Sequence, residues 1–249
     1  VNGLIELSGL YLSTDLDKAI AYGNQARTIA EKAGFQKGLA YAYKAIALGY
    51  FNQSNYPEAI IQFQNSLDVF ESIKFKTGIS NILSNLGAIY YYTGNNTKAI
   101  DYHLKSLKVS EEINDKVRIG TSMNNIGSVY KSNPVTVDKA LEYFLKALPI
   151  FEAVKYDAGI GTASGNIGEI YFDRKQYDKA LPYLVTSLKM YAGTIDATFP
   201  LTKLAQIYAD REDFQTAYYY HEQAIDIADK LDAKLELTQS LLGLAATQR

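Results

Sequence analysis

One pattern recurs six times along the chain, at intervals of about forty residues. Two clear copies read NLGAIYYYTGNNTKAIDYHLKSL, over 85–107, and NIGSVYKSNPVTVDKALEYFLKAL, over 125–148. A unit of this length is too small to bury its own apolar face, so it must stack on its neighbours. The period therefore predicts a solenoid in which successive repeats share one continuous core.

An alanine in each copy marks the start of an amphipathic helix: Ala19, Ala59, Ala99, Ala140, Ala180 and Ala217. Four residues before each alanine lies a residue placed to cap that helix, and five of the six are good N-cap types: Asp15, Asn55, Asn95, Thr136, Gln176 and Asp213. Gly94 is placed to end the preceding helix in the left-handed conformation. Each copy is therefore predicted to be a helix, a tight turn and a second helix.

The first helix of each copy has a small residue three positions before a tyrosine. The small residues are Ser8, Ala47, Gly87, Gly127, Gly168 and Ala205, and an apolar residue precedes each of them. Glycine inside a helix costs about 1 kcal/mol, so its recurrence in an apolar stripe predicts that two helix backbones approach closely there. The tyrosine is expected to fill the space beside the small residue.

These motifs, with alanine, aromatic and small residues in the second helix (Ala59, Phe63 and Ser66 in one copy), resemble the tetratricopeptide repeat over nearly the whole chain. The usual period of that family is 34. The longer period, and the lack of a closing proline, resemble the forty-residue subclass of kinesin light chains and bacterial regulators. The resemblance implies an all-α, right-handed superhelical solenoid of about six helix-turn-helix units plus a C-terminal helix. The predicted repeats are 1–34, 35–75, 76–115, 116–156, 157–195 and 196–232, and 233–249 is a capping or seventh-repeat helix.

Prolines and glycines interrupt the pattern in two places. Pro149 and Pro182 fall inside predicted second helices, where a proline removes a backbone hydrogen bond and is expected to kink the helix. The step between the last two anchor alanines is shorter than the others and contains Gly193 and Pro200. We therefore expect the array to bend near 191–200.

The resemblance implies that the first helices line a concave groove in which peptides bind. Two residues before the small position, three successive repeats carry Asn85, Asn125 and Asn166. An asparagine amide offers a donor and an acceptor, so such a ladder suits a peptide backbone. The predicted groove residues are Asn81, Asn85, Thr121, Asn124, Asn125, Thr162, Asn166, Lys44 and Lys203. The alternative interpretation is a solvated helix face without a ligand, and a carboxylate clamp is not expected because Lys44 and Lys203 are four repeats apart.

No pattern in the chain points to catalysis, a metal or a cofactor. There is no cysteine, and the two histidines, His103 and His221, occupy equivalent packing positions without a third ligand at a matching spacing. The string GIGTASGNIG, over 159–168, lacks GxxxxGK[ST] and falls in a first helix, so it is not a phosphate loop. The formal net charge of −2 provides no basic surface for nucleic acid. No apolar run approaches the ~18 residues of a membrane span.

We therefore expect a protein–protein interaction module that binds an extended peptide or a partner segment in the concave groove. The repeat style resembles arrays of bacterial signalling proteins, which implies a regulatory or sensor region of a larger protein. The chain begins with Val1, which also predicts a longer protein. A cytoplasmic location is expected, with the periplasm as the alternative. Two other functions stay open: a receptor for a small signalling peptide that switches conformation, and a scaffold that forms a homodimer through its terminal helix.

Overall fold

The computed structural model describes residues 1–247, which form thirteen α-helices and no β-strand. The helices are α1 Asn2–Tyr11, α2 Leu16–Lys32, α3 Gln36–Asn52, α4 Tyr56–Ser72, α5 Lys76–Tyr92, α6 Asn96–Glu112, α7 Lys116–Lys131, α8 Val137–Ala153, α9 Asp157–Asp173, α10 Tyr177–Met190, α11 Thr198–Asp210, α12 Phe214–Lys230 and α13 Lys234–Thr247. Short 3-10 turns, Pro134–Thr136 and Ile195–Ala197, precede α8 and α11. The predicted all-α repeat solenoid is confirmed.

The second helix of each pair begins where the sequence predicts. All six anchor alanines lie in the first turn of an even-numbered helix and are fully buried. All six predicted caps occupy the N-cap position, and three of them (Asp15, Asn95 and Asp213) accept a hydrogen bond from the backbone N–H three residues later. Thr136 instead donates its hydroxyl to the carbonyl of Tyr130, at 2.6 Å. The spacing of the repeat therefore sets the start of these helices even where the side chain does not cap.

Residues in the left-handed backbone region close the turns between helices. Gly94 has a φ of +77°, which confirms its predicted role. Seven non-glycine residues adopt the same region: Ser54, Lys74, Asn114, Lys155, Lys175, Glu212 and Asp232. The conformation costs a residue with a Cβ about 1–2 kcal/mol. Hydrogen bonds across the turn offset this cost, since the N–H of Gln176, after Lys175, donates to the carbonyl of Tyr171 at 2.9 Å.

Exchanging glycine and a side chain at two of these turns should change stability in opposite directions. We expect Lys175→Gly to raise the free energy of unfolding by about 0.5–1 kcal/mol, because glycine has no Cβ to clash at positive φ. Gly94→Ala should lower it by about 1 kcal/mol through backbone strain alone, since no atom lies within 4 Å of the position that a Cβ would take. Urea unfolding of both variants checks the pair, and shifts of the same sign would contradict it.

The chain divides into two compact units, one from Val1 to Val129 and one from Tyr130 onward. The boundary falls in the last turn of α7. The core of the first unit contains Phe63, Phe70, Ile82, Leu86 and Ile89. The core of the second unit includes Leu184, Leu204, Ile207, Leu201 and Ala224. Burial of each large apolar side chain stabilises a unit by about 1.5–3 kcal/mol.

The small residues of the first helices allow the close approach that the sequence predicts. A Cβ on Gly87 of α5 would lie 2.6 Å from the imidazole of His103 on α6. A Cβ on Gly168 of α9 would lie 2.8 Å from Cγ of Leu184 on α10. These distances are shorter than non-bonded atoms tolerate, so each glycine makes room for a side chain of the paired second helix. His103 and Leu184 occupy the same place in their repeats.

The tyrosines beside the small residues form a second repeated contact. Five of the six stack on a tyrosine of the paired second helix, with ring centroids 5.3–5.9 Å apart: Tyr11 on Tyr22, Tyr90 on Tyr102, Tyr130 on Tyr143, Tyr171 on Tyr183 and Tyr208 on Tyr220. A lysine ammonium lies over four of the first-helix tyrosines, Tyr11, Tyr90, Tyr130 and Tyr171, at 4.9–5.6 Å from the ring centroid. Stacking and cation–π contacts of this kind hold the two helices of a repeat in register.

The prolines inside the second helices do not end those helices, and a short irregular segment connects α10 to α11. Pro149 lies inside α8 and Pro182 inside α10, and both helices continue past the proline. Pro200 lies in the first turn of α11, where a missing N–H leaves no intrahelical bond unmade. Gly193, with a φ of +78°, and the 3-10 turn Ile195–Ala197 connect α10 to α11.

Candidate functional site

The predicted groove residues lie on the first helices of their pairs. Asn81 and Asn85 are on α5, Thr121, Asn124 and Asn125 on α7, Thr162 and Asn166 on α9, Lys44 on α3 and Lys203 on α11. We call the surface that they mark the first-helix face. Asn124 is buried, with 8% of its surface exposed, and Thr162 is exposed, whereas the other seven are half-buried.

In the first unit, amide and hydroxyl side chains of α5 and α7 meet on this face. The Nδ2 of Asn125 donates to Oγ of Ser84 at 3.3 Å, and the Nδ2 of Asn85 donates to Oδ1 of Asn81 at 3.5 Å. Thr121 uses its hydroxyl within its own helix, on the carbonyl of Val117. Nothing in the described part of the first unit donates to the amide oxygens of Asn85 and Asn125, so both can accept from a ligand.

A network of buried serines lies beneath this surface. The hydroxyls of Ser80 and Ser106 each donate to the other residue's carbonyl, and Ser106 also bonds to Ser122 at 3.2 Å. Ser80 contacts Ser110 at 2.7 Å. A cavity of about 200 Å³ opens between these serines and the predicted residues Asn81 and Thr121. The network was not predicted from the sequence, although Ser80 and Ser106, 26 residues apart in adjacent helices, would have indicated it.

Lys44 has a cationic neighbour that the sequence analysis did not identify. Burial lowers the pKa of the Lys44 ammonium, and the positive charge of Arg118 on α7 lowers it further. Arg118 also forms an ion pair with Asp115, at 2.5 Å. Two basic side chains therefore lie near each other on the first-helix face of the first unit, although they are 74 positions apart in sequence.

In the second unit the predicted residues are held by charged neighbours. The ammonium of Lys131 donates to Oδ1 of Asn166 at 2.7 Å and to Oε2 of Glu169 at 2.5 Å. Lys203 lies 4.0 Å from the same carboxylate and 4.5 Å from the ring centroid of Phe172. Glu169 thus neutralises two lysines at once, and Lys131 was not among the predicted groove residues.

A larger cavity, of about 600 Å³, opens on the first-helix face of the second unit. Its walls come from the end of α7, from α9, α10, α11, α13 and from the 3-10 turn Ile195–Ala197, and they include the predicted residues Thr162 and Asn166. The hydroxyl of Thr162 contacts the hydroxyl of Tyr191 at 2.5 Å, which fixes the tyrosine at the cavity wall. The sequence analysis did not predict Tyr191, because it lies beyond the end of α10 in the irregular connection.

The two histidines are packing residues, as the sequence predicts, and both are buried. Each has 2% of its surface exposed. Burial lowers the pKa of His103 to about 4 and also lowers the pKa of His221. In residues 1–247 no group of three histidine, cysteine or acidic side chains is placed to hold a metal ion. The string 159–168 lies inside α9, as predicted. No helix in the described range is long and apolar enough to cross a membrane.

Comparisons with known proteins agree with this architecture. Residues 78–133 and 137–192 match the tetratricopeptide repeat family model. No curated protein sequence matches the chain. Among solved structures, BtubC (BKLC) from P. vanneervenii is similar, with 19% identity, a TM-score of 0.76, and 88% of this chain and 93% of that chain covered.

Two further similar structures are of bacterial regulators. The apo form of the quorum sensor NprR from B. thuringiensis has 14% identity and a TM-score of 0.73, and the match covers 96% of this chain and 68% of that one. A Rap protein complexed with competence and sporulation factor has 14% identity and a TM-score of 0.68, with 98% and 74% covered. At these identities the likeness shows the fold alone. Residues 78–133 and 137–192 are therefore tetratricopeptide repeats, and the other helix pairs of the described chain have the same helix-turn-helix form.

Proposed function

We propose that this interaction module binds an extended peptide or a partner segment along the first-helix face, and that it is the regulatory or sensor region of a larger bacterial signalling protein. One observation supports this most strongly. Each unit has a cavity on that face, and predicted groove residues line both: Asn81 and Thr121 in the first unit, Thr162 and Asn166 in the second. We expect binding, not catalysis, from these surfaces.

The amide side chains suit the backbone of an extended ligand. The oxygens of Asn85 and Asn125 can each accept a peptide N–H. At the equivalent position in the second unit, Asn166 already accepts from Lys131. The Lys131 ammonium has three N–H donors and uses two of them on Asn166 and Glu169, so a third is available for a ligand carbonyl. These hydrogen bonds contact the backbone of the ligand, so selectivity for its side chains comes from the cavities.

The fold neighbours support the regulatory part of the proposal, since they include a quorum sensor and a Rap protein that was solved with competence and sporulation factor. We place the protein in the cytoplasm, with the periplasm as the alternative. Fractionation of source cells, followed by detection of the chain, distinguishes the two compartments.

Peptide binding is expected to weaken about tenfold to a thousandfold in Asn85→Ala/Asn125→Ala/Asn166→Ala. Loss of the Asn85 and Asn125 amides removes two ligand hydrogen bonds at about 0.5–1.5 kcal/mol each, and loss of Asn166 removes the acceptor that holds the Lys131 ammonium in place for the third. Peptides would be selected on the wild-type protein from a random phage-displayed library, and their affinities measured by fluorescence anisotropy. A lysate pull-down with the same two proteins would then identify the natural partner.

The matched control is Gln64→Ala/Lys105→Ala/Lys146→Ala, which removes one exposed polar side chain from each of α4, α6 and α8. Both triple variants must have wild-type helicity. The proposal requires the control to bind like wild type. Equal affinities for the asparagine variant and wild type would contradict it and would remove the ladder from the binding surface.

Two alternatives have their own observations and tests. A peptide receptor that switches conformation is favoured by the larger cavity of the second unit, and it requires the radius of gyration from X-ray scattering to change when a selected peptide binds. A self-associating scaffold is favoured by α13, on which Leu235, Leu241 and Leu242 are 66%, 48% and 67% exposed. Light scattering that shows a dimer, and loss of that dimer in Leu242→Glu, would favour the scaffold.

A further inference from the structure

The cavity of the second unit is larger than that of the first and differs from it at three equivalent wall positions. The smaller cavity of the first unit is lined by Ser80, Ser84 and Ser106. The residues 81 positions later, at the same places in the repeat, are Gly161, Gly165 and Ser187, and all three line the larger cavity. Two serines of the smaller cavity thus correspond to glycines in the larger one, and Tyr191 packs against Gly161, where a Cβ would lie 2.8 Å from its ring. The volumes of the two cavities are about 200 Å³ and about 600 Å³.

Two buried hydroxyls at this cavity have no hydrogen-bond partner. The Oγ atoms of Ser187 and Ser240 are unpaired, and both residues are 0% exposed. Elsewhere the serine at the place of Ser187 is satisfied, because Ser66 donates to the carbonyl of Ala40 and Ser106 donates to that of Ser80. Both carbonyls lie 26 residues earlier in the chain. The equivalent carbonyl for Ser187 is that of Gly161, and no such bond forms.

An unpaired buried hydroxyl is unfavourable, because the group has lost its water without gaining a partner. In two other repeats the serine at this place donates to the carbonyl 26 residues earlier, but Ser187 does not form that bond. The hydroxyls of Ser187 and Ser240 are therefore available to a polar group that enters the cavity.

The charge of the lining is negative. Glu169 is neutralised by Lys131 and Lys203, as described above. Asp196, on the 3-10 turn, and Glu236, on α13, also line the cavity, and neither has an ion pair or a hydrogen bond with any residue that the structure describes. Three lining carboxylates against the single lining ammonium of Lys131 give a net charge of −2. The uncompensated charge lies at Asp196 and Glu236.

The cavity that contains these carboxylates is also lined by aromatic rings. Tyr191 and Phe199 both line the cavity. Phe199 already faces one cation, since the ammonium of Lys203 lies 5.9 Å from its centroid. Aromatic faces next to free carboxylates favour an organic cation over a hydrated metal ion, because a guanidinium or an ammonium on an alkyl stem gains from both.

We propose that the cavity binds a short peptide segment through a basic side chain, arginine or lysine, with the cation at Asp196 and Glu236 and the segment's polar groups at Ser187 and Ser240. This inference rests on the proposed function and names the ligand class at one part of the first-helix face. A volume of about 600 Å³ is within the range of ligand pockets and larger than one side chain requires, so adjacent residues of the segment also enter.

Calorimetric titration with blocked tripeptides tests the proposal directly. The probes are acetyl-Ala-Arg-Ala-amide, acetyl-Ala-Lys-Ala-amide and acetyl-Ala-citrulline-Ala-amide, the last being a neutral isostere of the arginine peptide. We expect the two basic peptides to bind and the citrulline peptide to bind about tenfold more weakly or worse. Free arginine amide supplies a guanidinium, and spermidine supplies ammonium groups, without the peptide backbone. Binding of either as tightly as the arginine peptide would overturn the peptide assignment, and no binding of the basic peptides at millimolar concentration would overturn the proposal.

Two variants assign the binding to the cavity. Asp196→Asn/Glu236→Gln should weaken the arginine peptide about tenfold or more, whereas Glu222→Gln/Asp229→Asn, with the same charge change at exposed positions of α12, should not. Ser187→Ala should weaken binding and at the same time raise the melting temperature of the free protein, because it removes an unsatisfied hydroxyl. A lower melting temperature in Ser187→Ala would indicate a structural hydroxyl and contradict the proposal.

The failure of this inference is distinguishable from failure of the proposed function. If library peptides bind in a way that depends on Asn85, Asn125 and Asn166 but not on Asp196 and Glu236, the cavity assignment is wrong and the binding module stands. If the tripeptides bind through Asp196 and Glu236 while the asparagine variant retains full affinity for library peptides, the cavity assignment stands and the ladder is wrong.

Discussion

Truncation of Phe63 to alanine is expected to lower the free energy of unfolding by about 3–5 kcal/mol. Phe63 is 1% exposed and packs with Phe70, Leu86 and Ile89 in the core of the first unit. Removing its ring takes away apolar contact and leaves a cavity, because the helices on either side are held by the close approach of their backbones. Chemical denaturation followed by far-ultraviolet circular dichroism measures the loss.

The control for this prediction is Tyr92→Ala. Tyr92 is 64% exposed and lies edge-on to Phe51, so its truncation should cost about 1 kcal/mol or less. Similar losses in the two variants would contradict the assignment of Phe63 to a packed core.

The helical framework could be predicted from the sequence because local geometry dictates it. Helix periodicity and cap chemistry act over a few residues, so the spacing around Ala59 or Ala180 is enough to place the second helices. The small residues could also be interpreted from the sequence. Glycine is unfavourable inside a helix, so a glycine such as Gly168 indicates that a neighbouring side chain packs closely there. The left-handed turn residues could not be recognised in the sequence. Lys175, for example, adopts its conformation because of hydrogen bonds between the turn and the preceding helix.

The candidate site was only partly predictable, because it depends on contacts between distant residues. The sequence indicates that Asn166 and Lys203 lie on the same kind of helix face, but not that Glu169 ties Lys131 and Lys203 together. Arg118 and Lys44 lie two repeats apart, so their proximity appears only in the folded unit. The larger cavity is lined in part by the irregular connection between α10 and α11, which does not follow the periodic pattern.

One position of the repeat shows how the same geometry accepts different chemistry. Phe63, His103, Phe144, Leu184 and His221 are equivalent residues of successive second helices, and each is at most 2% exposed. His103 over Gly87 and Leu184 over Gly168 occupy the same space in their repeats. The position requires a side chain that fills the space above the small residue. His103 fills it with a titratable ring, whereas Leu184 fills the equivalent space with an apolar side chain. That difference has a consequence for the stability of the first unit in acid.

His103 should make the protein less stable as the pH falls from about 6.5 to about 4. Burial lowers the pKa of the folded imidazole from 6.5 to about 4. Above pH 6.5 the ring is neutral in both states and contributes no pH dependence. Between the two pKa values only the unfolded state binds the proton, so stability falls by about 1.4 kcal/mol per pH unit. Below about 4 both states are protonated and the loss levels off, near 3 kcal/mol.

His103→Leu isolates this contribution, because leucine already fills the equivalent place over Gly168. Carboxylates and His221 titrate in both proteins, so the measured quantity is the difference in the free energy of unfolding between wild type and variant at each pH. We expect that difference to be constant from pH 8 to about 6.5 and then to move in favour of the variant by about 3 kcal/mol as the pH reaches 4. A difference that stays constant over the whole range would mean that the buried ring is protonated in the folded protein as readily as in water. In that case Nδ1 of His103, which has no partner among the described residues, would have to reach solvent or a carboxylate.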